Sequence, residues 1–71
     1  MELSEYLFRL NPKEIEVLKL MAEGRRSKEI SPVLGISPRT VEGRITNIIE
    51  KLDARSQAHA VAIGIRIGII A

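Results

Sequence analysis

Cysteine is absent from this 71-residue chain, and histidine occurs once, at His59. The chain therefore has no disulfide framework and no thiolate metal site, and a single imidazole makes neither a metal cluster nor a catalytic triad. His59 is expected to be a surface residue in the first turn of a helix. Aromatic residues are nearly absent too, and we expect the only two, Tyr6 and Phe8, to cover the core. These absences argue against an enzyme and predict no metal or cofactor.

A long hydrophobic run is also missing. The longest apolar stretch, residues 60–71, contains Arg66 and is shorter than the roughly 20 residues that a membrane span requires. The first residues, MELSEYLFR, carry acids where a secretory signal carries bases. A chain of this length is one small domain, residues 1–71, and buries only about 60% of its unfolded surface. We therefore expect a soluble cytoplasmic domain that needs a compact core or a partner.

Neither sign of charge is in large excess, because the formal net charge is +2. The charges are nevertheless unevenly distributed: residues 1–24 contain three bases and five acids, whereas residues 25–51 contain six bases and three acids. This distribution predicts that one side of the fold is basic, which is typical of phosphate binding. A solvated charged surface explains the same pattern equally well.

Four short helical patterns fill the chain, and the first has clear signals at both ends. Asn11 is its cap, Pro12 occupies the first helical position, and Glu14 completes a capping box. Gly24 marks its end. Its apolar stripe consists of Ile15, Leu18, Met21 and Ala22.

The second pattern begins at Ser27, a suitable capping residue, and ends at Gly35. Pro32 lies within it, so we expect a helix that is short, bent or shifted at its start. The residues expected to face the core are Ile30, Val33 and Leu34.

The third pattern follows a turn of about four residues around Gly35, which makes a helix-turn-helix arrangement over residues 27–52. Ser37 is a suitable cap, and Pro38 occupies the first helical position. A single apolar stripe is formed by Val41, Ile45, Ile48 and Leu52. The opposite side is polar apart from Gly43, so we expect one face to pack on the core and the other to be exposed.

The fourth pattern, the predicted helix over residues 56–68, is apolar on two sides. We expect Val61, Ala62 and Ile65 to pack inward and a second copy of the chain to cover the other side. That second side, the predicted dimer interface, consists of Ala60, Ile63, Gly64 and Ile67. Residues 63–69, IGIRIGI, also alternate with period two and are rich in β-branched residues, so a strand is the alternative. A helix is favoured because a lone strand would have no partner in a helical chain.

The ordered motifs resemble those of the LuxR-type, or GerE-like, DNA-binding domain of bacterial transcription regulators. The matching segments are LNPKEIEVLKLMAEG at 10–24, SKEI at 27–30, LGIS at 34–37, RTV at 39–41 and NIIEKL at 47–52, followed by the alanine-rich last helix. The resemblance covers residues 8–70. It implies an all-α, four-helix helix-turn-helix domain whose third helix enters the major groove of DNA and whose fourth helix mediates dimerisation.

The third helix carries most of the candidate contacts to DNA. Base edges in the major groove present distinguishable donors and acceptors, and residues near the start of a recognition helix reach them. The base-reading candidates are Arg39, Glu42, Gly43 and Thr46. The phosphate-contact candidates are Lys28, Thr40, Arg44, Asn47 and Lys51. Glu42 can accept a hydrogen bond from the amino group of cytosine, and the alternative is a solubilising surface acid.

Together these observations lead us to expect a homodimer that binds double-stranded DNA at an inverted-repeat operator and regulates bacterial transcription. RNA polymerase is a further candidate partner. The alternative is a protein-interaction module that dimerises with a related regulator and antagonises it. The sequence leaves open whether the chain is complete or is the C-terminal domain of a quorum-sensing-type or response regulator.

Overall fold

The computed structural model describes residues 10–71, and the expectation that Tyr6 and Phe8 cover the core falls outside that range. Within it, four helices follow one another and no strand occurs: α1 (Pro12–Ala22), α2 (Ser27–Leu34), α3 (Pro38–Lys51) and α4 (Gln57–Arg66). The predicted all-α, four-helix class is confirmed. No helix in the described part is long and apolar enough to cross a membrane.

The start of α1 has the predicted capping box. Asn11 Oδ1 accepts a hydrogen bond from the Glu14 amide at 2.8 Å, and Glu14 Oε1 accepts one from the Asn11 amide at 3.0 Å. The same buried carboxylate accepts from Lys51 Nζ at 2.8 Å, which ties the start of α1 to the end of α3. A buried carboxylate is costly unless it is hydrogen-bonded and paired, and Glu14 meets both conditions.

α2 differs from the prediction in two respects. Its cap is Arg26 rather than Ser27, which is already the first helical residue. Val33 is 52% exposed instead of facing the core. This helix is only eight residues long and packs chiefly on α3, so it buries a narrow face around Ile30. Pro32 lies inside the helix, which is short, as expected.

The corner between α2 and α3 is formed at Gly35, whose φ of +68° is a left-handed conformation that glycine adopts without strain. The amides of Gly35 and Ile36 both donate to the Ser31 carbonyl and so close the end of α2. α3 then starts from its predicted cap, because Ser37 Oγ accepts from the Thr40 amide at 3.1 Å. The corner therefore holds α3 in a defined direction relative to α2.

The hydrophobic core is organised around α3, which contacts each of the other three helices. Its predicted stripe is buried, with no member more than 5% exposed: Val41, Ile45, Ile48 and Leu52. The core is completed by Leu10, Val17, Leu18, Met21, Ile30, Ala60 and Ile70. One whole side of α3 is thus fixed by packing, which leaves the opposite side free to meet a ligand.

The last pattern folds as the helix α4, and the strand alternative is wrong. Ser56 Oγ accepts from the His59 amide at 3.0 Å and caps the start of the helix. The helix ends two residues before the predicted residue 68, because Gly68 has a φ of +80° and the chain turns back. The amides of Ile69 and Ile70 both donate to the Gly64 carbonyl. This turn places Ile70 in the core.

The inward face of α4 differs from the predicted one, although Val61 is half-buried and packs against the core as predicted. Ala60 and Gly64 are buried, whereas Ile65 is 50% exposed. A Cβ at Gly64 would lie 2.9 Å from Leu18 Cδ2 and 3.2 Å from Ile70, so an added side chain would require one of these neighbours to move. Small residues let α4 approach α1 closely, and that close contact selects the face that turns inward.

Candidate nucleic-acid interface

The outward face of α3 lies opposite its buried stripe. Because successive helical residues are rotated by about 100°, Arg39, Gly43 and Thr46 project away from Val41 and Ile48. All three outward residues are exposed. They form a polar ridge about 10 Å long along the helix axis. The fold therefore brings together three of the four residues that the sequence indicated for base reading.

The three ridge residues offer different groups to a ligand. Thr46 Oγ1 donates to the Glu42 carbonyl at 3.1 Å, so an acceptor oxygen and a methyl group remain for a ligand. The Arg39 guanidinium is exposed and, among residues 10–71, has no ion-pair partner. No neighbouring atom lies within 4 Å of the position that a Cβ of Gly43 would take. A ligand can therefore approach the backbone closely at this point.

Glu42, the fourth base-reading candidate, lies roughly 70° to one side of the ridge centre. Its Oε1 accepts a hydrogen bond from Ser27 Oγ at 3.4 Å, across the gap between α3 and the start of α2. The two residues line a groove of about 420 Å³. The other residues lining it are Met21, Gly24, Arg25, Arg26, Ile45, Gln57 and Val61. Glu42 is thus an acid at the edge of a groove that contains two arginines.

Four polar residues of this groove were not among the predicted site residues: Arg25, Arg26, Ser27 and Gln57. Both arginines belong to the basic segment, residues 25–51, yet the sequence did not reveal that they lie beside α3. Arg25 Nε is 3.0 Å from Glu23 Oε1 in an exposed ion pair. The guanidinium of Arg26 has no ion-pair partner within the described chain. Gln57 is brought here by the packing of α4 on α3.

Three of the predicted phosphate contacts lie beside the ridge on α3, and a fourth lies on α2. Lys28 is exposed at the second position of α2. Thr40, Arg44 and Asn47 lie on the flank of α3 away from the groove. Thr40 and Asn47 are exposed and Arg44 is half-buried. Thr40 Oγ1 is 2.9 Å from Ser37 Oγ, so the first turn of α3 presents a pair of hydroxyl groups.

Lys51, the fifth predicted phosphate contact, has a partner inside the domain. Its ammonium lies 2.8 Å from the buried carboxylate of Glu14. It is also about 18 Å along the α3 axis from Arg39. A phosphate contact from Lys51 stays a prediction, but its pairing with Glu14 disfavours that role.

The exposed apolar surface of α4 consists of Ala58 and Ile65, with the half-buried Ala62 between them. These three residues project from one side of the helix, opposite Ala60 and Gly64. The predicted interface residues Ile63 and Ile67 are half-buried and pack against the core. An apolar strip on α4 does remain outside the core, but it is formed by different residues from those predicted.

His59, expected to be a surface residue, is half-buried. Its Nδ1 accepts a hydrogen bond from the Arg55 amide at 2.9 Å, so it stabilises the turn that leads into α4. Within residues 10–71 no group of three or more His, Cys, Asp or Glu residues could hold a metal ion. The ridge, the groove and the apolar strip of α4 are features that suit a ligand.

A helix with one buried face and one polar face, set after a tight corner and flanked by cations, defines a helix-turn-helix domain that binds nucleic acid. The sequence profile of the family described as "Bacterial regulatory proteins, luxR family" matches residues 9–63. The chain belongs to this family and is one of its helix-turn-helix DNA-binding domains.

Individual relatives agree with this assignment. The chain is 48% identical over 61 residues to the transcriptional regulatory protein YdfI of Bacillus subtilis (strain 168), which covers 86% of this chain and 29% of that protein. It is 40% identical over 62 residues to the HTH-type quorum sensing-dependent transcriptional regulator RpaR of Rhodopseudomonas palustris. That match covers 87% of this chain and 26% of RpaR. The solved structure of the transcription factor GerE matches with a TM-score of 0.83 at 32% identity, over 87% of this chain and 92% of that one. The chain thus spans less than a third of the length of these two curated relatives.

Proposed function

We propose that this domain binds duplex DNA by inserting the ridge of α3 into the major groove. The observation that carries the proposal is that the ridge is polar and exposed, whereas the opposite face of the same helix is buried. A helix fits the major groove, where base edges present distinct hydrogen-bonding groups. The four-helix fold would support the ridge from behind, so that the groups it presents are held in place.

Each ridge residue has a role that follows from its chemistry. Arg39 is a long double donor that suits the O6 and N7 acceptors of guanine. Thr46 presents a methyl group and an acceptor oxygen, which suit the thymine methyl or a base amino group. Gly43 lets the helix approach the base edges closely. For Glu42, a hydrogen bond from the amino group of cytosine is the role expected from the sequence alone, but its carboxylate faces Ser27 rather than outward along the ridge.

Phosphate contacts supply most of the affinity in this proposal. Lys28 lies on α2, and Thr40, Arg44 and Asn47 lie on one flank of α3, so the DNA backbone can be held beside the recognition helix. Each cation that neutralises a phosphate releases counterions, which makes binding dependent on salt and independent of sequence. Such contacts fix the register of the helix, and the ridge then selects the sequence.

Dimerisation is the second part of the proposal. Ile65 is half exposed, and the small residues Ala58 and Ala62 beside it would let a second α4 approach closely. A two-fold axis through this strip would relate two recognition helices. Their half-sites should lie about 10 base pairs, or roughly 34 Å, apart on an inverted-repeat operator. We propose that the domain regulates bacterial transcription in this form, in the cytoplasm, with RNA polymerase as a candidate partner.

Charge reversal tests the docking face. Lys28→Glu combined with Arg44→Glu should weaken binding to random duplex by about tenfold or more in fluorescence polarisation, because two phosphate contacts are lost. The matched control, Lys13→Glu with Lys19→Glu, makes the same charge change on the exposed surface of α1 and should have a much smaller effect. Circular dichroism verifies that each variant is folded. If the half-buried Arg44 does not tolerate the change, the single variant Lys28→Glu replaces the double variant.

Equal effects of the two double variants would refute the assigned face. A wild-type domain that binds no duplex would favour the protein-interaction alternative.

A further inference from the structure

The position of Glu42 is unusual for a residue that reads bases. Its carboxylate is directed to the side of the ridge, towards Ser27 at the start of α2, rather than outward along the ridge. The groove that it enters also contains Arg25 and Arg26. An acid therefore accepts a hydrogen bond from Ser27 in a groove that two arginines also line, and within the described chain neither arginine forms an ion pair with it.

An anion from outside the protein could bind to the same groups that surround Glu42. A duplex that receives the ridge in its major groove has a phosphate backbone on each side of α3. On one flank the groups available to that backbone are Thr40, Arg44 and Asn47. On the other flank they are Ser27, Arg26 and Gln57, and Glu42 lies among them. The groups around Glu42 are the kind that bind phosphate, and helix starts favour negative charge.

We infer that Glu42 occupies, in the free domain, the position that a DNA phosphate takes in the complex. It is an internal competitor that lowers affinity for duplex of any sequence and so makes recognition depend more on the ridge. Before a phosphate can contact the groove, the carboxylate has to leave Ser27. The inference rests on the proposed function, since it assumes that α3 enters the major groove.

The inference predicts a measurable change in how the affinity for duplex DNA depends on salt concentration. Replacing Glu42 with Gln removes the charge but keeps the size of the side chain, so one more phosphate contact becomes available. One added contact steepens the slope of log K against log salt by about 0.9. The ratio of variant to wild-type affinity for random duplex should therefore grow about threefold when salt falls from about 200 mM to about 50 mM.

Two further variants show whether the effect belongs to the groove. Glu16→Gln makes the same charge change on the exposed surface of α1 and should leave the slope unchanged. Arg26→Gln removes the groove cation that has no ion pair within the described chain. In the Arg26→Gln background, the gain from Glu42→Gln should fall to the level of the Glu16→Gln control.

Fluorescence polarisation titrations with two duplexes distinguish competition with phosphate from base reading. One duplex has a random sequence, and the other carries a preferred binding site of the wild-type domain. Equal gains in affinity for both duplexes, with the steeper slope, support the inference. Weaker binding to the selected site and a relaxed preference at one base pair would overturn it and support base reading by Glu42. An unchanged slope, or a gain that persists without Arg26, would also overturn it. A domain that binds duplex in neither form would overturn both this inference and the proposed function.

Discussion

The buried carboxylate of Glu14 should contribute a large share of the stability of this domain. A 71-residue chain has a total free energy of unfolding of roughly 4–10 kcal/mol. Glu14→Ala removes the hydrogen bond to the Asn11 amide, worth about 1 kcal/mol, and the charged bond to Lys51, worth about 1.5–3 kcal/mol when fully shielded. Lys51 is 39% exposed and can be rehydrated, so the second figure falls to about 1 kcal/mol. The expected loss is about 2 kcal/mol.

Two companion variants separate these contributions. Glu14→Gln keeps an oxygen that can accept from the Asn11 amide but loses the charge, so it should cost only about 1–2 kcal/mol. Lys51→Met removes the other partner and leaves the carboxylate buried with one hydrogen bond. In a double-mutant cycle, Glu14→Gln and Lys51→Met should show a coupling energy of about 1 kcal/mol.

The measurement is urea unfolding followed by circular dichroism, with thermal melts as a second readout. For a domain of this size, a loss of about 2 kcal/mol lowers the melting temperature by roughly 8–16 °C. If the free-energy losses of the two single substitutions simply added in the double variant, the ion pair would contribute nothing to stability. A loss below about 0.5 kcal/mol for Glu14→Ala would refute the whole assignment, because the capping bond alone should exceed that value.

Two further predictions concern α4. Gly64→Ala should destabilise the domain by about 1 kcal/mol in urea unfolding, because overpacking against Leu18 and Ile70 costs about 1–3 kcal/mol and better helix propensity recovers only about 0.5–1 kcal/mol. If Gly64→Ala stabilised the domain instead, the Leu18 side chain would have to move aside at little energetic cost. Ile65→Lys should leave a folded monomer that protects one half-site in footprinting, whereas Ile63→Lys should mainly destabilise the fold. Unchanged two-fold protection by Ile65→Lys would exclude the exposed strip as the dimer interface.

Local sequence signals were sufficient wherever a few neighbouring residues decide the outcome. The capping box of Asn11 and Glu14 and the cap at Ser37 formed as predicted, because their hydrogen bonds join residues three positions apart. The buried stripe of α3 was equally predictable, since its helical period has only one apolar side. The helix-turn-helix arrangement followed from these elements and the glycine corner.

Prediction failed where the sequence offered two equivalent choices. α4 has apolar residues on both sides, so its period could not reveal which side faces the core. That choice depended on the close approach of Leu18 and Ile70 to Gly64, which involves residues distant along the chain or beyond the end of the helix. Val33 was misplaced for a related reason, since the short α2 has too little neighbouring structure to cover it.

By itself, the sequence determined the four helices, the caps of α1, α3 and α4, the polar ridge of α3 and the family, because these depend on residue type and short spacing. Only the tertiary structure decided which side of α4 is buried and that Lys51 pairs with Glu14, 37 positions away. It alone decided that Glu42 faces Ser27 beside two arginines. The physical reason is that these contacts arise from the relative positions of packed helices, and helix packing depends on shape complementarity that no local pattern encodes.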